Sequence, residues 1–112
     1  MAKIYNDSLY WQDIVRASLG KYLILRALAE EPLHGYALIR KIRGQTKNFF
    51  SPTEGSVYPI LRDFMECGCV TMKLRVFRGR ERKEYVLTAR GHRAHRTAEI
   101  LWRKGIKCLN LH

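Results

Sequence analysis

The chain has 112 residues, 46% of them hydrophobic, and a formal charge of +11 from 21 Lys and Arg against 10 Asp and Glu. That length builds one modest core, to which a second copy can add stability, and it is too short for two domains. No apolar run approaches the roughly 20 residues of a membrane span, and the opening MAKIYNDSLYWQD lacks the hydrophobic segment of a signal peptide, so a cytoplasmic protein with no membrane partner is expected.

In residues 7–19, Leu9, Ile14, Val15 and Leu19 follow the potential caps Asp7 and Ser8, which predicts a short amphipathic helix broken at Gly20. Residues 21–31 form the next helix, with Leu23, Ile24, Ala27 and Leu28 on one face and Pro32 as its stop. A tight turn leads to another helix, from near His34 to Gly44, with Leu38, Ile39 and Ile42 inward and His34 read as a cap. After the connection QTKNFFSP, Thr53 caps a helix that Gly68 ends.

Beyond it, Val70, Met72, Leu74 and Val76 alternate with Thr71, Lys73, Arg75 and Phe77, the period-two pattern of a half-buried strand. Five polar residues, RGRER, separate it from a second strand, KEYVLT, making a hairpin. From Thr88 to about Leu109 the chain is helical again, and Ala94, Ala98, Leu101, Gly105 and Cys108, flanked by Trp102 and Leu109, form a seam that pairs with another helix.

Between Lys73 and Lys107 twelve basic residues stand against three acidic ones, so +9 of the +11 is local and a polyanionic partner is expected. Cys67, Cys69 and Cys108 lack the spacing of a disulfide framework or zinc finger and read as reduced thiols. His92 and His95 could share a metal, but Arg90, Arg93 and Arg96 would repel a cation, so no metal or cofactor is expected. No nucleophile with a base and orienting carboxylate and no phosphate loop is visible, so the chain is not read as an enzyme.

The order helix, helix, short turn, helix, hairpin, helix is that of a winged helix-turn-helix: a mainly α fold with a small hairpin, whose third helix enters the DNA major groove and whose wing reaches a minor groove. This order accounts for an oddity in SPTEGSVYPILRDFMECG, a short helix holding both Gly55 and Pro59. Gly55 lies at the end that approaches phosphates, where a missing Cβ lets the duplex come close. Pro59 removes only the bond from its own nitrogen to the Gly55 carbonyl. The alternative is an irregular turn, with the helix starting near Ile60.

The stretches YLILRALAEEPLHGYALIRKI, SPTEGSVYPILRDFMECGCV and GRERKEYVLTARG, about residues 22–91, resemble the PadR-like transcriptional regulators. The marks are Pro32, Gly35-Tyr36, Gly55-Ser56-Val57-Tyr58-Pro59 with Leu61, Gly68, and Tyr85-Val86-Leu87-Thr88 with Gly91. The resemblance implies a homodimeric double-stranded-DNA-binding regulator, most often a repressor, of the short kind with one C-terminal helix. It divides the chain into an N-terminal helical extension (1–20), a winged helix-turn-helix (21–88) and a dimerisation helix (89–112). Cys67 and Cys69 depart from the family's charged residue and leucine around the glycine; the apolar position makes Cys69 buried and Cys67 more exposed.

Thr53, Gly55, Ser56 and Tyr58, with Pro59 as a rigid apolar surface, are thus placed at phosphates, and Arg62 at a base edge or a phosphate, while Asp63 and Glu66 limit insertion. Tyr58 could instead brace the first helix pair. Arg78, Arg80, Arg82 and Lys83 at the wing suit a narrow, negative minor groove, against the plainer reading of a solvated charge run. Tyr36 contacts phosphate or supports its turn. Trp102 packs in the dimer or lines a groove for a small aromatic effector, as the resemblance suggests for some members. Within nucleic-acid binding the rival function is an architectural protein that coats DNA without choosing sequence.

Overall fold

The computed structural model describes residues 2–110; Met1, Leu111 and His112 lie outside them. A short 3-10 turn (Ala2–Asn6) folds back on the start of α1 (Ser8–Glu30), where the Trp11 Nε1 donates to the Tyr5 carbonyl at 2.8 Å. Asp7 is the N-cap, its Oδ1 accepting from the Leu9 amide at 2.9 Å. The expected break at Gly20 is absent, and residues 7–31 do not form two helices. One glycine costs a helix only about 1 kcal/mol, and strong helix formers on either side carry the turn through it.

A Cβ at Gly20 would lie 3.9 Å from Ile60 Cδ1, an ordinary contact. Gly20→Ala is therefore expected to stabilise the fold by about 0.5–1 kcal/mol, read as a shift in the urea midpoint with unchanged slope.

His34 caps α2 (Gly35–Gln45) as expected, its Nδ1 accepting from the Ala37 amide at 3.3 Å. Lys41 fastens α2 to the end of α1, its Nζ 2.8 Å from carboxylate oxygens of both Glu30 and Glu31. Burial pulls the Lys41 ammonium down, but the two carboxylates outweigh it and hold it above its ordinary value; hydrogen bonding from Lys41 holds Glu30 below its own. Between the helices, Leu33 exchanges backbone hydrogen bonds with Tyr85 at 3.1 and 2.8 Å, a one-residue bridge that docks the hairpin on the helices.

In α3 (Glu54–Glu66) Thr53 and Ser56 form a reciprocal capping box, and Pro59 lies inside the helix, so the alternative start near Ile60 does not hold. The helix ends at Gly68, where φ is +81°. There the Gly68 amide donates to the Met65 carbonyl and the Cys69 amide to the Phe64 carbonyl, the paired bonds of a Schellman motif. The core lies where the helices meet the base of the hairpin: Ile24 and Ala27, Leu38 and Ile42, Val57 and Leu61, Val70 and Leu87 are all buried.

Strands β1 (Val70–Phe77) and β2 (Arg80–Leu87) pair antiparallel, with Val70 opposite Leu87 and Phe77 opposite Arg80. The hairpin departs from the expected one in two respects. The connection is not five residues but two, Arg78 (φ 52°) and Gly79 (φ 76°), the two positive φ values of a type I′ turn whose twist matches the strands. Nor is β1 half-buried: only Val70 is buried, and Met72, Leu74 and Val76 are exposed. The alternation is real, but the hairpin projects past the helices and meets no second layer. Helix α4 (Ala89–Cys108) starts from Thr88, whose hydroxyl accepts from the Gly91 amide at 3.1 Å and donates to the Gly68 carbonyl at 2.6 Å. It packs back along α1, its His95 ring stacked on Tyr22 with centroids 5.8 Å apart.

Candidate nucleic-acid interface

The outer face of α3 is open. Thr53, Gly55, Ser56, Pro59 and Arg62 are exposed, as are Asp63 and Glu66. At 100° per residue Gly55, Pro59, Arg62 and Glu66 make one stripe along the middle of this face. A Cβ at Gly55 would meet only Thr53 Oγ1, at 3.8 Å, so the fold itself has room for a side chain there. The Thr53 and Ser56 hydroxyls are engaged with each other's backbone and hold the first turn of the helix.

Tyr58 is different. Its ring is half-buried beside Tyr85, centroids 6.4 Å apart, and its hydroxyl presses on α2 where a Cβ at Gly35 would collide with it. This is the bracing geometry, and it accounts for Gly35 as well. Burial, with Tyr58 alongside, pushes the Tyr85 hydroxyl above its ordinary range. The neighbouring Tyr36 is exposed, with the Arg40 guanidinium 5.0 Å over its ring.

Pairing sorts the wing into two faces. Lys73 and Glu84, Arg75 and Arg82, Phe77 and Arg80 are opposite partners, so successive pairs at period two put Lys73, Arg75, Arg80 and Arg82 on one face. Leu74 with Lys83 and Val76 with Glu81 lie on the other. The structure therefore joins Arg80 and Arg82 to two residues that the sequence reading passed over, Lys73 and Arg75, and separates Lys83 from them. Crossing the two-residue turn from Arg80 to its partner Phe77, and counting back in twos from there, would have found both. Phe77 holds the arrangement: the guanidinium carbons of Arg78 and Arg82 lie 5.4 and 5.7 Å from its ring centroid. One charge is partly answered, Arg75 Nη1 standing 3.1 Å from Glu84 Oε1.

The seam expected on α4 divides too. Ala94, Ala98 and Trp102 are half-buried, Trp102 tilting toward Tyr22 of the same chain at 6.5 Å, whereas Leu101, Gly105, Cys108 and Leu109 are exposed. Beside Trp102, Leu19, Tyr22, Arg26, Glu99, Arg103 and Ile106 line a shallow hollow of about 250 Å³. Burial and the nearby Glu99 push the Tyr22 hydroxyl above its ordinary value there. Exposed Leu9, Trp11, Ile14 and Val15 on the first half of α1 add a second apolar surface to that of Ile100, Leu101, Ile106 and Leu109. Cys69 is buried and Cys67 exposed, as expected. Among the described residues no helix is long and apolar enough to cross a membrane, and no group of three or more His, Cys, Asp or Glu could hold a metal ion.

Comparison with solved structures finds this arrangement repeatedly. A PadR-like transcriptional regulator from Bacillus cereus superposes with a TM-score of 0.76 at 24% identity, over 85% of this chain and 91% of that one. A transcriptional regulator from Clostridium thermocellum gives 0.74 at 21% identity, over 86% and 94%. A PadR family transcriptional regulator from Eggerthella lenta gives 0.71 at 27% identity, over 97% and 89%. None of the curated proteins compared matches the sequence. Residues 24–97, from the buried half of α1 to the middle of α4, match the family described as Transcriptional regulator PadR-like. With a winged helix-turn-helix in hand and a family match over most of its length, the chain belongs to the PadR-like transcriptional regulators, a DNA-binding family.

Proposed function

We propose that this protein is a cytoplasmic homodimer that binds double-stranded DNA at chosen sequences and represses transcription there. The observation that carries the reading is the clustering of Lys73, Arg75, Arg80 and Arg82 on one face of a projecting hairpin, in a fold whose α3 leaves Gly55 and Arg62 outward. Residues 21–88 then serve as the DNA-binding unit and 89–112 as the dimerisation helix, with 1–20 adding the apolar first half of α1 to the same contact. The family resemblance, most often to repressors, supports repression, and the hollow beside Trp102 suits a small aromatic effector that would alter how two copies meet.

Asp63 and Glu66 on the exposed face of α3 favour a reader of sequence over an indiscriminate coat, since acidic groups repel phosphate wherever bases do not reward the fit. Competition of a duplex selected from random sequence against random duplex separates the two. A selected site preferred by less than about tenfold, against the 10³-fold or more usual for specific binding, would favour the architectural reading.

Leu101→Glu places a carboxylate on the exposed apolar surface of α4. The expected result is a monomer by sedimentation, with affinity for a two-fold symmetric site reduced by about 10²-fold or more as the linked second contact is lost. A wild-type protein that sediments as a monomer at micromolar concentration would refute the dimer.

A further inference from the structure

The tripeptide Cys67-Gly68-Cys69 brings two thiols together where three elements join. Cys67 closes α3 and is exposed; Cys69, leading into β1, is only 7% exposed; and the left-handed Gly68 between them turns the chain so that their Sγ atoms lie 3.3 Å apart. All three carbonyls of the tripeptide are held by the start of α4. Arg90 Nη1 donates to the Cys67 oxygen at 2.9 Å, the Thr88 hydroxyl to the Gly68 oxygen at 2.6 Å, and the Thr88 amide to the Cys69 oxygen at 3.0 Å. The end of α3, the root of the wing and the start of α4 are thus fixed through one short loop.

We propose that Cys67 and Cys69 form a peroxide-sensitive dithiol whose oxidation to an internal disulfide loosens the junction of α3, β1 and α4 and so weakens DNA binding, the last step resting on the function proposed above. Cys67, the accessible sulfur, attacks a peroxide oxygen; an S–O bond forms, the O–O bond breaks, and the departing hydroxide leaves as water with the thiol proton. The Cys69 sulfur then attacks the Cys67 sulfur, displacing the hydroxyl, which takes the second thiol proton and leaves as a second water. The two thiols are oxidised by two electrons and the peroxide is reduced by two.

Burial raises the Cys69 thiol above its ordinary range, opposed by Arg90 and Arg93, which suits it to the second step rather than the first. Closing the bond draws the sulfurs from 3.3 Å to about 2.04 Å and fixes the torsion between them. With one residue between the two cysteines, the backbone must turn to comply. The carbonyls that receive Arg90 and Thr88 turn with it.

The test treats the full-length protein with hydrogen peroxide, alkylates the remaining thiols and digests with trypsin. Cleavage after Arg62 and Lys73 yields a peptide that holds Cys67 and Cys69 without Cys108. That peptide is expected unalkylated and lighter by two hydrogens, with the protein's melting temperature lowered and affinity for a selected duplex reduced by about tenfold, within the usual range of coupling between sites. Dithiothreitol should reverse all three, and Cys67→Ser, at an exposed position, should keep its affinity under peroxide. A sulfinic acid at Cys67, a bridge through Cys108, or an internal disulfide with unchanged melting and affinity would each overturn the proposal. The peptide mass and the melting temperature are read without DNA, so a reduced protein that bound no duplex would overturn the DNA-binding reading while the dithiol stood or fell on those two.

Discussion

Gly91→Ala is expected to destabilise the protein by about 2–3 kcal/mol, the upper part of the range for forcing a methyl into a filled site, and to lower the melting temperature by roughly 10 °C. Gly91 is buried in the first turn of α4. A Cβ there would run into the carbonyl of Cys69, 3.0 Å from its carbon, and 2.9 Å from Leu87 Cδ2. A side-chain tip could swing aside, but a carbonyl that already accepts the Thr88 amide cannot move without breaking that bond. The start of α4 would have to lift from the root of the wing. The two glycine-to-alanine changes should therefore have opposite signs, gain at Gly20 and loss at Gly91, because the same methyl finds ordinary contact in one place and backbone in the other. A Gly91→Ala protein as stable as wild type in calorimetry would mean that α4 does not seat on the Cys69 carbonyl.

How much of this was legible beforehand depends on how local the cause is. Caps and stops are local chemistry: His34, Thr53 and Gly68 act where their side chains, or the lack of one, allow. The break at Gly20 failed because a weak penalty competes with the cooperativity of a long helix, which no single residue reports. The wing failed differently. Met72, Leu74 and Val76 alternate correctly, yet alternation states only which residues share a face and not whether anything covers it. The Leu33–Tyr85 bridge had no pattern at all, being one residue long. At the candidate interface the exposed residues of α3 were foreseen, whereas the half-buried placement of Tyr58 turned on the space left by Gly35, some twenty residues away in sequence and adjacent in the fold.

Replacing Arg80 and Arg82 with Ala should weaken binding to a selected site and to random duplex alike, because both side chains lie on the basic face of the wing, which on the proposed function meets phosphate or a narrow minor groove without reading bases. With three to five phosphate contacts per protomer and two protomers on a site, log affinity should fall against log salt with a slope of about −5 to −9. Removing two charges per protomer, four in all, should flatten that slope by about 3 to 4 units, so that a fourfold rise in salt costs the variant about 10²-fold less than it costs the wild type. Lys83→Ala, on the opposite face beside Leu74, should have a smaller effect. Arg62→Ala should behave in the opposite sense, losing more on the selected site than on random duplex, since on the same proposal α3 sets the register on which base contacts depend. Should the Arg80/Arg82 double variant keep wild-type affinity and slope, the basic face of the hairpin is not at the DNA, and its four cations serve some other polyanion.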